Sequence, residues 1–69
     1  MKASNAVARL EKAGFTVITN DSFYTAKKAD VIVEFVASQK GEVKTRGFSY
    51  KSGSSCATTY GMSLAQVIS

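Results

Sequence analysis

Between Phe15 and Tyr50 the chain alternates apolar and polar residues through three turn signals, and this run limits the fold more than any other feature. Phe15 to Thr19 reads as a strand closed by Asn20-Asp21, Ala29-Asp30 supplies a second turn, and Lys40-Gly41 supplies a third. Pairing across the first turn sets Ile18 opposite Phe23, Val17 opposite Tyr24 and Phe15 opposite Ala26. Across the second, Ala26 meets Val33 and Tyr24 meets Phe35. Across the third, Phe35 meets Arg46, Val33 meets Phe48 and Val31 meets Tyr50. Successive strand residues point to opposite sides, so the three registers check one another. One side collects Phe15, Val17, Tyr24, Ala26, Val31, Val33, Phe35, Phe48 and Tyr50. A slip of one residue at any turn would scatter that set.

The flanks read as helices. Ala3, Ala6, Val7 and Leu10 recur at helical spacing over residues 2–13, and Gly14 suits the left-handed position that closes a helix. Lys51 to Ser55 reads as a loop. From Thr59 onward Tyr60, Leu64, Val67 and Ile68 fall at helical spacing, with Thr59 or Ser63 as N-cap. The expected fold is a single α+β domain over residues 1–69: an N-terminal helix, a four-stranded antiparallel meander and a short C-terminal helix.

Size and composition narrow the functions. At 69 residues, folding buries roughly 60% of the unfolded chain's surface, so a small domain gains from a staple or from association. Cys56 is the one cysteine and histidine is absent, which removes internal disulfides and leaves too few ligands for structural zinc. The lack of histidine also removes the commonest general base and the usual partner of a Ser or Cys nucleophile. Cys56 reads as a free thiol under the second helix. Glu34, a charge inside the most apolar strand, reads as an outer-face ion pair with Lys27. No glycine pattern cradles a phosphate. The expectation is a protein that is not an enzyme and needs no cofactor or metal. No apolar stretch approaches the roughly 20 residues that span a bilayer, and residues 1–5 lead into an amphipathic stretch, so a soluble, cytoplasmic protein is expected.

Two surfaces could bind. On the side opposite the core, Ile18, Phe23, Val36 and Thr45 form a row across the strands, flanked by Ile32 and Val43. If both helices pack on the first side, this row is an exposed apolar patch suited to a protein partner or to homodimerisation; if one helix covers each side, it is ordinary core. The second surface is basic. Lys27, Lys28 and Lys51 gather at one end of the sheet, and Lys40, Lys44 and Arg46 at the other. Lys44 and Arg46 sit on an edge strand, where charge guards against aggregation. Lys27, Lys28, Lys44, Arg46 and Lys51 form the alternative, a nucleic-acid contact, and the net charge of +4 favours acidic partners.

The opening Ala6-Val7-Ala8-Arg9-Leu10-Glu11-Lys12-Ala13-Gly14-Phe15-Thr16-Val17, followed by a small meander, resembles short accessory proteins of phages and mobile genetic elements. The resemblance covers little more than the first helix and strand. It implies a compact protein that binds and modulates a host factor, as anti-defence inhibitors do, and it transfers no functional residue.

Overall fold

A computed structural model describes residues 1–53 and 57–68. Cys56 and residues 54–55 of the expected Lys51–Ser55 loop lie outside the described residues; Lys51 and Ser52 are in a strand, not in a loop. The described chain runs α1 (Ala3–Lys12), β1 (Thr16–Asn20), β2 (Phe23–Lys28), β3 (Val31–Val36), β4 (Phe48–Ser52), β5 (Thr59–Met62) and α2 (Leu64–Ile68). The fold is α+β, with a helix at either end of an antiparallel sheet of strand order β1-β2-β3-β4-β5. The sheet has five strands, not the expected four.

α1 buries Ala3, Ala6 and Leu10, spaced so that they share one stripe. Its end is a Schellman motif: the Phe15 N–H bonds to the Leu10 carbonyl and the Gly14 N–H to the Glu11 carbonyl, both at 3.0 Å. Gly14 holds φ +100°, a conformation that a side chain would strain. The hydrophobic contact that accompanies such a motif is present, since Leu10 and Phe15 are both buried in the same cluster. α1 thus delivers Phe15 to the core side of the sheet.

The middle turn pairs as expected, with Tyr24 opposite Phe35 and Ala26 opposite Val33. The other two registers differ by two residues. The first turn is Asp21-Ser22, so Asn20 faces Phe23, Ile18 faces Thr25, and Val17 rather than Phe15 faces Ala26. On the other side of the sheet β3 meets β4 with Val33 opposite Tyr50 and Val31 opposite Ser52. The expected turn at Lys40-Gly41 forms, with the Gly41 N–H on the Ser38 carbonyl (2.9 Å), the Ser38 N–H on the Glu42 carbonyl (2.8 Å) and Gly41 at φ +76°, but it does not lead straight into β4; residues 37–47 form a longer connection. It is strapped to the chain start by Ala3 N–H to Gly41 carbonyl (2.8 Å) and Val43 N–H to Met1 carbonyl (2.7 Å). A shift of two preserves side-chain parity. Every residue assigned to the core side is therefore buried in the core or packed against it.

The residues after Thr59 depart further from expectation. Thr59–Met62 is a strand rather than the start of a helix, pairing with β4 through Phe48 opposite Met62 and Tyr50 opposite Thr59, with a bulge between. Gly61, at φ +71°, bends the strand there. α2 starts only where a capping box permits: Ser63 Oγ accepts from the Gln66 N–H (3.3 Å), while Gln66 Oε1 accepts from the Ser63 N–H (2.9 Å).

Both tight turns between β1, β2 and β3 place a non-glycine residue at positive φ, Asp21 at 57° and Ala29 at 53°. Alanine lacks the polar side chain that eases this conformation for Asp. Ala29→Gly is expected to stabilise the fold by about 0.5–1 kcal/mol, the relief of left-handed strain outweighing glycine's extra unfolded-state entropy. Urea unfolding would show a higher midpoint at unchanged slope; a lower midpoint would mean that the turn is not strained at Ala29.

Candidate interaction surface

Leu64 and Val67 of α2 join Ala3, Ala6 and Leu10 of α1 in one cluster with Phe15, Ala26, Val33, Phe35 and Phe48. Both helices therefore cover the same side of the sheet. The aromatic centre of that side is Phe35, stacked on Tyr24 (centroids 4.9 Å apart, planes at 2°) and tilted against Phe48 (4.9 Å, 49°).

Among the described residues, the reverse side carries no helix. Strand pairing arranges it in rows. The first holds Thr16, Lys27, Ile32 and Lys51. The middle row holds Ile18, Thr25, Glu34 and Ser49. The last holds Asn20, Phe23 and Val36. Ile18 and Val36 are more than half exposed, at 56% and 55%, and Phe23 is 42% exposed. Ile32 is half-buried among its neighbours. Against the Phe23–Val36 end, the 37–47 connection and β5 enclose a concavity of ≈ 640 Å³, lined among others by Phe23, Glu34, Val36, Lys44, Arg46 and Tyr60. Tyr60 is 78% exposed. The bulge and Gly61 break the alternation of β5, so Tyr60 does not follow Met62 into the core.

Several expected site residues lie elsewhere. Val43 is buried, at 3% exposure, because its segment tucks beneath the chain start instead of forming an outer strand. Thr45 is exposed but belongs to the connection, not to the row across the strands. Lys44 and Arg46 are likewise in the connection, not on an edge strand; the edges are β1 and β5. Arg46 Nε donates to the Gly61 carbonyl at 3.2 Å, tying the connection to β5. Lys27 and Lys51 flank Ile32 in one row, whereas Lys28 points the other way. Its Nζ donates to the Ala13 carbonyl at 2.7 Å and lies 5.7 Å from the Phe15 ring centroid. The expected pair of Glu34 with Lys27 does not form. Among the described residues the ion pair is that of the Met1 amine with Glu42, at 3.9 Å. The arrangement strands Glu34 as an acid with hydroxyl neighbours, Thr25 and Ser49, directly across.

Tyr60 is the surface residue that sequence reasoning missed. The signal was Gly61, whose presence beside a tyrosine argues against a helix there. Among the described residues, no three of His, Cys, Asp and Glu come together as a metal site, and no helix is long and apolar enough to cross a membrane. The fold and surface define a class: a small α+β domain with one sheet side packed under two helices and the other side open, apolar at the Phe23–Val36 end and carrying Lys27 and Lys51 at the other. No family model, curated protein or solved structure matches the chain.

Proposed function

We propose that the protein is a non-enzymatic docking module whose open sheet side binds an acidic protein surface bearing an apolar anchor. One observation carries this reading: both helices lie on one side, which leaves Ile18, Phe23 and Val36 exposed beside a concavity large enough to seat a side chain. The charge around them selects the partner. Lys44 and Arg46 border the apolar end together with Glu34 and Glu42, Lys27 and Lys51 lie in the row at the far end of the same side, and the net charge of +4 steers an acidic partner toward it. The resemblance of the first helix and strand to phage and mobile-element accessory proteins adds the role: binding a host factor and modulating it.

The test is a purified partner, first captured from the host and then titrated against wild type and the Phe23→Asp and Val36→Asp variants. Affinity is expected to fall at least tenfold with either substitution, since each puts a carboxylate where the anchor and the acidic partner meet. Melting temperatures should stay near wild type. A partner that binds both variants as tightly as wild type overturns the reading.

A second reading has an observation of its own. Phe23 and the highly exposed Tyr60 line the same concavity as Lys44 and Arg46, an arrangement suited to stacking single-stranded bases between phosphate contacts. Its signature is oligonucleotide affinity that falls steeply with salt and drops with Tyr60→Ala. No binding at low ionic strength removes it.

A further inference from the structure

The two edges of the sheet are not equivalent. β5 is four residues long, bulged against β4, bent by Gly61, and has its Gly61 carbonyl occupied by Arg46. These are the devices that blunt an edge against pairing. β1 has none of them. Thr16-Val17-Ile18-Thr19-Asn20 contains no charge, proline or glycine, pairs with β2 in unbroken register, and is exposed at every position but the half-buried Val17.

We propose that β1 pairs antiparallel with β1 of a second copy, about a two-fold axis at Ile18. The backbone supports this register. Asn20 and Phe23 flank a two-residue turn and form a hydrogen-bonded pair, so along β1 the groups of Ile18 and Asn20 turn toward β2. Those of Val17 and Thr19 turn to the open edge. With the axis at Ile18, Val17 of one copy faces Thr19 of the other and the two exchange N–H···O=C bonds on both sides of the axis. Ile18 meets Ile18 in the intervening close pair, on the side of the sheet where Ile18 is 56% exposed. Thr16 meets Asn20, a polar pair. The ends also match in charge. Asp21 follows β1 at one end, while Lys28 crosses Phe15 at the other. Antiparallel pairing brings the Asp21 of each copy beside the Phe15–Lys28 end of its partner. The two five-stranded sheets then become one.

This inference goes beyond the docking reading. It rests on the backbone of the β1 edge, with Ile18 as the one open-side residue the two surfaces share, and Phe23→Asp and Val36→Asp leave its hydrogen bonds intact. A five-residue edge lies below the area of a standard interface, so dissociation on the order of 100 µM is expected. Sedimentation and amide exchange from 10 µM to 1 mM would test it. Wild type should shift from monomer to dimer, with the Val17 and Thr19 amides becoming protected. Thr19→Pro removes an outward N–H without breaking the ladder to β2, the position at which an edge strand tolerates proline. It should weaken dimerisation tenfold or more. Ile18→Lys, which sets two ammonium groups against each other and leaves the backbone untouched, should do the same and decides the matter if Thr19→Pro does not fold. Wild type that remains monomeric at 1 mM overturns the proposal, as does a dimer that survives in a folded variant.

Discussion

Phe35→Ala is expected to remove about 3–5 kcal/mol of stability. Phe35 is 2% exposed, in the middle strand of the sheet, and its ring contacts both neighbouring rings of the same row. Truncation costs three things together: the transfer of a large apolar group, the cavity left between Tyr24 and Phe48, and two aromatic contacts. A domain of 69 residues has about 3–10 kcal/mol in total. The loss therefore consumes a large part of it and lowers the melting temperature by roughly 15–30 °C. Urea unfolding at low temperature gives the value directly. Phe35→Leu, which keeps most of the volume, should recover more than half. A Phe35→Ala loss under about 1.5 kcal/mol would mean that the row across the strands is not the centre of the core.

The core row was legible in the sequence because strand periodicity is two. The first and third registers each moved by two residues, yet Phe15, Val17, Tyr24 and Phe48 kept their side, since a shift of that size changes neighbours and not faces. What the pattern could not resolve was turn length. Asp21-Ser22 and Asn20-Asp21 are equally good turn pairs, and the choice between them decides whether Ile18 or Asn20 faces Phe23. The path of the 37–47 connection is hidden for a related reason. Val43, Thr45 and Lys44 alternate like a strand, but Val43 is held by backbone bonds to Met1, a long-range contact that no local pattern encodes. In β5, Tyr60 shares helical spacing with Leu64, Val67 and Ile68 and so was absorbed into the helix. The Ser63-x-x-Gln66 box marks the true start, but a box of this kind is recognisable only when the residues before it are read as non-helical. Of the surface, Ile18, Phe23 and Val36 were legible from parity alone. Their exposure was not, because it depends on where α2 packs.

Val67→Asp tests that packing, and its expected cost of about 3–5 kcal/mol is the other large effect. Val67 is 3% exposed and, with Leu64, is how α2 attaches to the core cluster. A carboxylate there must either remain buried without a partner, at several kcal/mol, or carry α2 off the sheet. Detachment is the cheaper course. It gives up the burial of Leu64 and Val67, each worth about 1.5–3 kcal/mol, and uncovers the part of the core around Phe48. α2, five residues long, cannot persist as a helix once it leaves. The same substitution at Val36, which is also apolar but lies on the open side, should cost under about 1 kcal/mol, the scale of a strand-propensity change. The contrast is the informative quantity, because two valines in one small domain respond differently only if one side of the sheet is covered and the other is not. Equal losses from urea unfolding of dilute protein would place α2 across the Val36 side, and the open surface that the docking reading needs would not exist.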